Sequence, residues 1–241
     1  MLDLGTLPGG YESQAMGIDD RGDVAGFASN SVPDGFTSAF FGPGWTTQVR
    51  SFIWQRGRMR DLGTLGGPDA PMTAMNAPGQ VLGESYTDST PTATFGVPTL
   101  HPYLWQRGRM QDIGTLGGTF VMANSLNNAG DVVGFSFLAD ERGWHPFLWD
   151  RRSMRDLGTL GGGLGYAAWI DDAGDIVGAS RTSDGAFHGF LWQHGRMQDL
   201  PPGRGDVGLG GGLGWDGWSG QRHGAVADEL HEALAAVGQH A

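Results

Sequence analysis

The chain has 241 residues, a formal net charge of −11 and no cysteine, and its 15 basic residues are all arginine. Without Cys or Lys it has no thiol nucleophile, thiolate zinc site, Schiff-base lysine or Gly-Lys-Ser/Thr phosphate loop. The negative charge disfavours nucleic acid and anionic lipid surfaces, which bind basic patches. No run of about 18 apolar residues could cross a bilayer. We therefore expect no nucleic-acid partner and no membrane insertion.

The composition favours one β-rich domain. The chain has 44 Gly and 12 Pro but also 9 Trp and 39% hydrophobic residues, which is typical of short strands joined by tight turns around a packed core. Evenly spaced Trp and Leu distinguish it from Gly-rich disordered segments, which lack the apolar surface that would offset the entropy of ordering.

Three phrases recur along the chain, and such repeats are the strongest sequence signal here. Asp-Leu-Gly-Thr-Leu begins at Asp3, Asp61, Asp112 (with Ile for Leu), Asp156 and, shortened, Asp199. An aromatic-aliphatic-Trp phrase ends at Trp54, Trp105, Trp149 and Trp192. The third phrase, as in residues 17–26, centres on an Asp/Asn-x-x-Gly turn between aliphatic residues, the signature of a β-hairpin. Each repeat therefore predicts four strands, A to D, with D at the Asp-Leu-Gly-Thr-Leu phrase.

Repeats of about 43 to 58 residues with four strands each predict an all-β fold, a small β-propeller of four-stranded antiparallel blades. A parallel β-helix is the rival architecture, although its rungs are usually shorter and lack paired hairpins. The Trp residues, with the Leu or Ile before each, are predicted to form the core between blades.

The phrases Asp-Leu-Gly-Thr-Leu-Gly-Gly, Ile-Asp/Asn-x-x-Gly-x-Val-x-Gly and His-x-Phe-Leu-Trp, spanning residues 3 to about 200, resemble those of the HAF repeat family of extracellular repeat proteins. The resemblance implies a propeller-like β fold, a place outside the cytoplasm, and no particular activity or ligand. The start of the chain shows no signal-peptide pattern, so the sequence leaves the localisation open between these two indications.

The predicted repeats are 3–60, 61–111, 112–155 and 156–200. A degenerate fifth blade is expected from residues 201–226, closed by the N-terminal strand at Asp3–Leu7. Residues 1–226 would then form the propeller domain, and residues 227–241, with helical spacing of apolar residues, a short C-terminal helix. Four blades with loose ends are the alternative.

The B–C segments vary most in length, at approximately residues 30–49, 86–100, 137–144 and 181–187, and insertions gathered at one end of a repeat fold favour a binding face. They carry aromatic residues suited to a glycan, peptide or protein partner. The alternative is that these rings pack beneath their own loops. The candidate ligand-binding residues are the aromatics Phe36, Phe40, Trp45, Phe95 and Trp144 and the histidines His101, His145 and His188.

The three histidines occupy equivalent repeat positions, two residues before the aromatic-Leu-Trp phrase, where the first repeat has Arg50. They could bind a metal or act as acids and bases, but a residue present once per blade is more often structural. The Asp-rich turns likewise suggest calcium, yet Asp and Asn favour such turns by bonding their own backbone. We therefore predict no metal site and no cofactor.

Three functions are compatible with these observations. The leading hypothesis is non-catalytic binding or scaffolding on the B–C loop face. The second is a hydrolase or lyase using His and Asp at the mouth of the channel, although no catalytic residues can be assigned from spacing alone. The third is a structural repeat that associates with itself.

Overall fold

The structure, a computed structural model, describes residues 3–42 and 44–200, which form four units of four strands and one short helix. The first unit comprises β1 (Ser13–Ile18), β2 (Val24–Pro33), α1 (Ser38–Phe41), β3 (Thr47–Gln55) and β4 (Arg58–Asp61). The second comprises β5 (Met72–Met75), β6 (Val81–Tyr86), β7 (Leu100–Gln106) and β8 (Arg109–Asp112). The third comprises β9 (Gly117–Leu126), β10 (Val132–Leu138), β11 (Trp144–Trp149) and β12 (Met154–Asp156). The fourth comprises β13 (Gly161–Ile170), β14 (Ile176–Thr182), β15 (Phe187–Gln193) and β16 (Arg196–Leu200).

Within each unit, consecutive strands pair antiparallel, so the predicted four-stranded repeat is confirmed. The third and fourth units are joined by one parallel pair, Trp144 with Leu164. Antiparallel meanders of this kind do not form a parallel β-helix, so that alternative is wrong for the described residues.

One Asp or Asn side chain builds the turn between the first and second strands of each unit. Oδ1 of Asp19, Asn76, Asn127 and Asp171 accepts the backbone N–H four residues ahead, at 2.8 or 2.9 Å. Such bonds make the acidic or amide residue part of the turn itself, and they account for the Asp-rich pattern. In the part of the chain that the structure describes, no group of three His, Asp or Glu side chains is placed to hold a metal.

The Asp-Leu-Gly-Thr-Leu phrase lies at the end of the fourth strand, not within it as predicted. Asp61, Asp112 and Asp156 end their strands, and Oδ1 of each accepts the N–H of the Gly two residues later at 2.7 Å. The following residues cross to the next unit. The first copy, residues 3–7, forms no strand. The partner predicted for this segment, residues 201–226, lies outside the described residues, so the pairing stays a prediction.

The four units stand side by side with their first strands innermost: β1 packs on β5, β5 on β9, and β9 on β13. Side chains that alternate along the third strand join neighbouring units. Trp105 packs in one cluster with Ile53 of the first unit, whereas Leu104 packs with Phe147 and Trp149 of the third. The predicted core role is confirmed for Trp105, Trp149 and Trp192, which are buried, while Trp54 is half-buried against the cluster around Phe52.

Hydrogen bonds between turns also link the units. Asn76 Nδ2 donates to the backbone oxygen of Asn127 at 2.9 Å, and Asn127 Nδ2 donates to that of Asp171 at 3.2 Å. The next turn residue repeats the link, since the Asn128 N–H and side-chain amide both donate to Asp172 at 2.8 Å. The same turn residues therefore shape each unit and hold successive units in register.

The fourth unit has an apolar face that no described residue covers. Trp169 is 63% exposed and Val177 is 42% exposed. The counterparts of Trp169 in the earlier repeats are small residues, Gly17, Ala74 and Ser125, which lie against the next unit.

The predicted fifth blade (201–226) and C-terminal helix (227–241) lie outside the described residues. Within the described ranges, no helix is both long and apolar enough to cross a membrane.

Candidate functional site

The variable B–C connections lie together at one end of the units, along with the links that run from each fourth strand to the next unit. They comprise residues 34–46, 87–99, 139–143 and 183–186, somewhat shorter than the sequence suggested because the flanking strands extend further. The first two are the longest and equal in length, and the first includes the helix α1.

Most of the aromatic residues predicted to bind a ligand pack inward from these loops. Phe36 and Phe40 lie 6.0 and 5.2 Å from Tyr86, centroid to centroid, and Phe95 lies 5.0 Å from Phe137. Trp144 is 9% exposed and packs on the same core cluster. These contacts match the alternative of loops packed on their own aromatic residues, and ligand binding by these four stays a prediction.

Trp45 occupies a different environment, at the edge of the first unit. Its ring lies 4.7 Å from that of Phe41 and 6.1 Å from that of Tyr11, and Tyr11 is 51% exposed. The backbone N–H groups of Tyr11 and Glu12 both donate to Ser29 Oγ at 3.0 Å. This anchor holds Tyr11 beside Trp45 at the entry to β1, so two aromatic rings form one wall.

The aromatic wall borders a cleft of about 640 Å³. Besides Tyr11, Trp45 and Phe27, its lining includes the polar residues Asp3, Thr6, Glu12, Ser13 and Gln14. The side chains of Glu12 and Gln14 make no hydrogen bond or ion pair with any residue that the structure describes. Aromatic surface beside unused carboxylate and amide groups suits a ligand with both an apolar face and hydroxyl or amide groups. We refer to these residues as the Tyr11–Trp45 cleft.

A buried acid secures the loop that carries Trp45. Asp69, which is fully buried, accepts the Val49 N–H at 2.8 Å and lies 3.1 Å from Thr37 Oγ1. That hydroxyl also contacts Asp34 at 2.8 Å. Burial raises the pKa of Asp69 to about 8, the neighbouring Asp34 adds to the rise, and the Val49 N–H opposes it. A single hydroxyl proton cannot serve two carboxylates, so a protonated Asp69 supplies the missing donor.

The three predicted histidines form equivalent pairs with an Asp at the end of the neighbouring strand or, for Asp199, one residue before it. Nδ1 of His101, His145 and His188 lies 2.9, 2.8 and 2.8 Å from a carboxylate oxygen of Asp112, Asp156 and Asp199. Burial works to raise the pKa of Asp112, but the hydrogen bonds from His101 and the Gly114 N–H outweigh it, and the pKa is lowered. Each pair joins the third and fourth strands of its own unit, so the three histidines belong to three separate pairs.

No protein-family model and no curated protein matches the chain. Several solved structures are similar in fold. One is an acylaminoacyl peptidase from Pyrococcus horikoshii, with a TM-score of 0.50 and 15% identity over 79% of this chain and 27% of the other. Another is the β-propeller domain of the Trilobed protease from Pyrococcus furiosus, with a TM-score of 0.48 and 14% identity over 80% and 55%. A third is TolB from Acinetobacter baumannii, with a TM-score of 0.46 and 11% identity over 76% and 42%.

Four-stranded antiparallel meanders set side by side with the first strand innermost are the arrangement of propeller blades. The chain has a β-propeller-like fold. It spans between about a quarter and about half of the proteins just named, and at these identities the likeness concerns the fold alone.

In this propeller-like fold, three equivalent serines that were not predicted from the sequence stand beside the His–Asp pairs, one in each of three units. Ser85, Ser136 and Ser180 stand opposite His101, His145 and His188 in the strand register. The order Ser, His, Asp is that of a hydrolytic triad, but each Ser Oγ accepts the N–H of a Leu in the crossing link, at 2.9 to 3.0 Å, and is buried. No described serine bonds to a histidine. The sequence signal was a Ser two residues after the Gly that follows each turn.

Proposed function

We propose that this protein is a non-catalytic recognition module that binds a glycan, peptide or protein segment at the Tyr11–Trp45 cleft. The observation that carries the proposal is the aromatic wall of exposed Tyr11 and half-buried Trp45 beside the carboxylate and amide groups of Glu12 and Gln14. The cleft lies at the B–C end of the first unit, where the sequence predicts the binding face.

The chemistry of the cleft favours a saccharide among these partners. A sugar ring presents one apolar face of C–H groups, which packs on aromatic rings, and a rim of hydroxyls, which bond to carboxylates and amides. Both aromatic residues have few rotatable bonds, so little conformational entropy is lost when they bind a ligand.

A hydrolase or lyase function is supported less well. Among the described residues, the His–Asp pairs are the arrangement best suited to act as acid and base, but they link the third and fourth strands of a unit, and the serines beside them bond to the backbone. Catalysis by a hydroxyl nucleophile needs a base within hydrogen-bond reach of that hydroxyl, and the described serines have none.

Replacing Tyr11 or Trp45 with Ala is expected to weaken glycan binding about tenfold or more, because each change removes part of the aromatic wall. Ligands would first be found on an oligosaccharide array and their affinities then measured by titration calorimetry. Phe187→Ala, which removes a 53% exposed aromatic residue from the fourth unit, is the matched control. Equal affinities for all three variants and the wild type would show that the cleft is not the binding site.

We also propose, on the strength of the repeated phrases, that the chain is a HAF repeat protein that acts outside the cytoplasm, without nucleic-acid partners or membrane insertion.

We propose further that residues 201–226 form a degenerate fifth blade, covering the apolar face around Trp169 and reaching the N-terminal segment. The exposure of Trp169 and Val177 within the described residues supports this closure.

Trp169→Ser tests the closure in the full chain, since Ser stands at the equivalent position of the third unit. If a fifth blade covers Trp169, the substitution removes a large buried side chain and is expected to cost about 3 kcal/mol of unfolding free energy. Chemical denaturation measures the loss, with Ile18→Ser, at a 68% exposed position, as control. A loss of unfolding free energy that depends on protein concentration would instead indicate self-association through this face. No loss would mean that the face is exposed to solvent in the full chain.

A further inference from the structure

A second cleft lies at the opposite end of the molecule, between the turns of the first and second units. Its volume is about 280 Å³. Three arginines line it: Arg21 and Arg60 from the first unit, and Arg107 from the second. Gln55 and Gln106 add polar groups, and Trp105 lies beneath. The chain carries a net charge of −11, yet three of its guanidinium groups line this one cleft.

Contacts with neighbouring residues hold two of these arginines in place. The Arg60 guanidinium carbon lies 5.6 Å from the centre of the Trp105 ring, a cation–π arrangement. Arg21 donates to Asp19 Oδ2 at 2.7 Å and to the Pro78 carbonyl of the second unit at 3.3 Å, and Asp23 lies 3.6 Å from it. Arg21 is therefore neutralised within its own turn, and the charge available in the cleft comes from Arg60 and Arg107.

Comparison with the third unit shows what Arg60 and Arg107 lack. There, the equivalent Arg155 and Arg151 lie 3.6 and 3.1 Å from Asp150 and Asp131. The first unit has Gln55 in place of Asp150, and the second has Gln80 in place of Asp131. Gln80 is buried and bonded to Asn76. As a result, Arg60 and Arg107 have no carboxylate partner among the residues that the structure describes.

We propose that this cleft is a binding site for an oxyanion, the carboxylate or sulfate group of a small ligand of about the size of one acidic sugar. Oxygen atoms of the ligand would bond to the guanidinium groups of Arg60 and Arg107. They would take the place of the carboxylates that Asp150 and Asp131 supply in the third unit. Guanidinium forks match planar carboxylates and sulfate oxygens, and the cleft volume is near the lower end of that of ligand pockets. Gln55 Nε2 already donates to Asp23 Oδ2 at 2.6 Å, so the groups placed to bond neighbouring hydroxyls are the Gln55 amide oxygen and the Gln106 side-chain amide. This site is separate from the Tyr11–Trp45 cleft and does not depend on it.

Titration calorimetry of the full chain with sodium sulfate, glucuronate and glucose tests the site. We expect sulfate and glucuronate to bind and glucose not to bind. Tighter binding of glucuronate than of sulfate would identify an acidic sugar as the source of the oxyanion, and equal binding would identify the inorganic ion.

Arg60→Gln and Arg107→Gln are each expected to weaken binding about tenfold, because a charge-assisted hydrogen bond is lost. Gln stands at the position of Arg60 in the second and fourth units, as Gln111 and Gln198, so Arg60→Gln should fold normally, which thermal unfolding verifies. Arg56→Gln changes the same turn position as Arg107 outside the cleft and is the matched control. The proposal is overturned if neither anion binds the wild type, or if the Arg56 variant loses as much affinity as the other two.

Discussion

Asp69→Asn is expected to make the protein more stable at pH 8.5 and to reduce the dependence of its stability on pH. The pKa of Asp69 is raised to about 8 from an ordinary value of 3.8, chiefly by burial. In the unfolded chain the carboxyl ionises near pH 4, whereas in the folded chain it stays protonated until about pH 8. Its favourable contribution is therefore complete below pH 4 and is lost as the pH rises toward 8. The loss is on the order of several kcal/mol.

Asparagine fits the site because its amide reproduces the protonated acid. Its oxygen can accept the Val49 N–H, and its amide nitrogen can donate toward Asp34 or Thr37. Urea denaturation of wild type and variant at pH 5 and pH 8.5 measures the effect. The gain in unfolding free energy should appear at the higher pH.

The buried Glu84 contributes a second pH dependence that the Asp69 variant should retain. Its pKa is raised to about 7 from 4.5, chiefly by burial, against hydrogen bonds from Thr73 and the Ala123 N–H. Its stabilising contribution is lost between about pH 4.5 and 7.

Asp20→Asn, at an exposed position of the first turn, is the control for the Asp69 variant. If the variant at Asp69 were destabilised equally at both pH values, the carboxyl would be ionised in the folded protein, and our assignment would be wrong.

Trp105→Ala is expected to lower the unfolding free energy by about 3 to 5 kcal/mol. Trp105 is 5% exposed and packs in the cluster that joins the first and second units. Its loss would leave a cavity between the two units, and this cavity can close only if one of the units moves. Both the lost transfer energy and the cavity therefore contribute to the cost. Chemical denaturation at constant pH measures the change.

Trp54→Ala is the matched control, because Trp54 holds the same motif position in the first unit but is only half-buried. Its replacement should cost clearly less than that of Trp105. Equal costs would mean that burial between units does not determine the contribution of these tryptophans, and an unaffected Trp105 variant would refute the core assignment.

The candidate site was only partly predictable from the sequence. The variable loops lie at the same end of the repeats as the Tyr11–Trp45 cleft, and Trp45 was among the predicted residues. Tyr11 was not, because it precedes the first strand and meets Trp45 only through the bonds to Ser29. Conversely, Phe36 and Phe95 resembled exposed loop aromatics, and only the position of Tyr86 and Phe137 from other units shows that they are packed.

The sequence by itself determined the repeat, the four strands of each unit and the tryptophan core, because turn residues and alternating side chains act over a few neighbours in the chain. Only the tertiary structure decided which charged groups are buried or unpaired. Asp69 and Arg60 look like ordinary polar residues in a loop and a strand. One is enclosed by residues far away in the chain, and the other lacks the acid that its counterpart has. Solvent access and charge pairing depend on neighbours in space, and those neighbours come from different units.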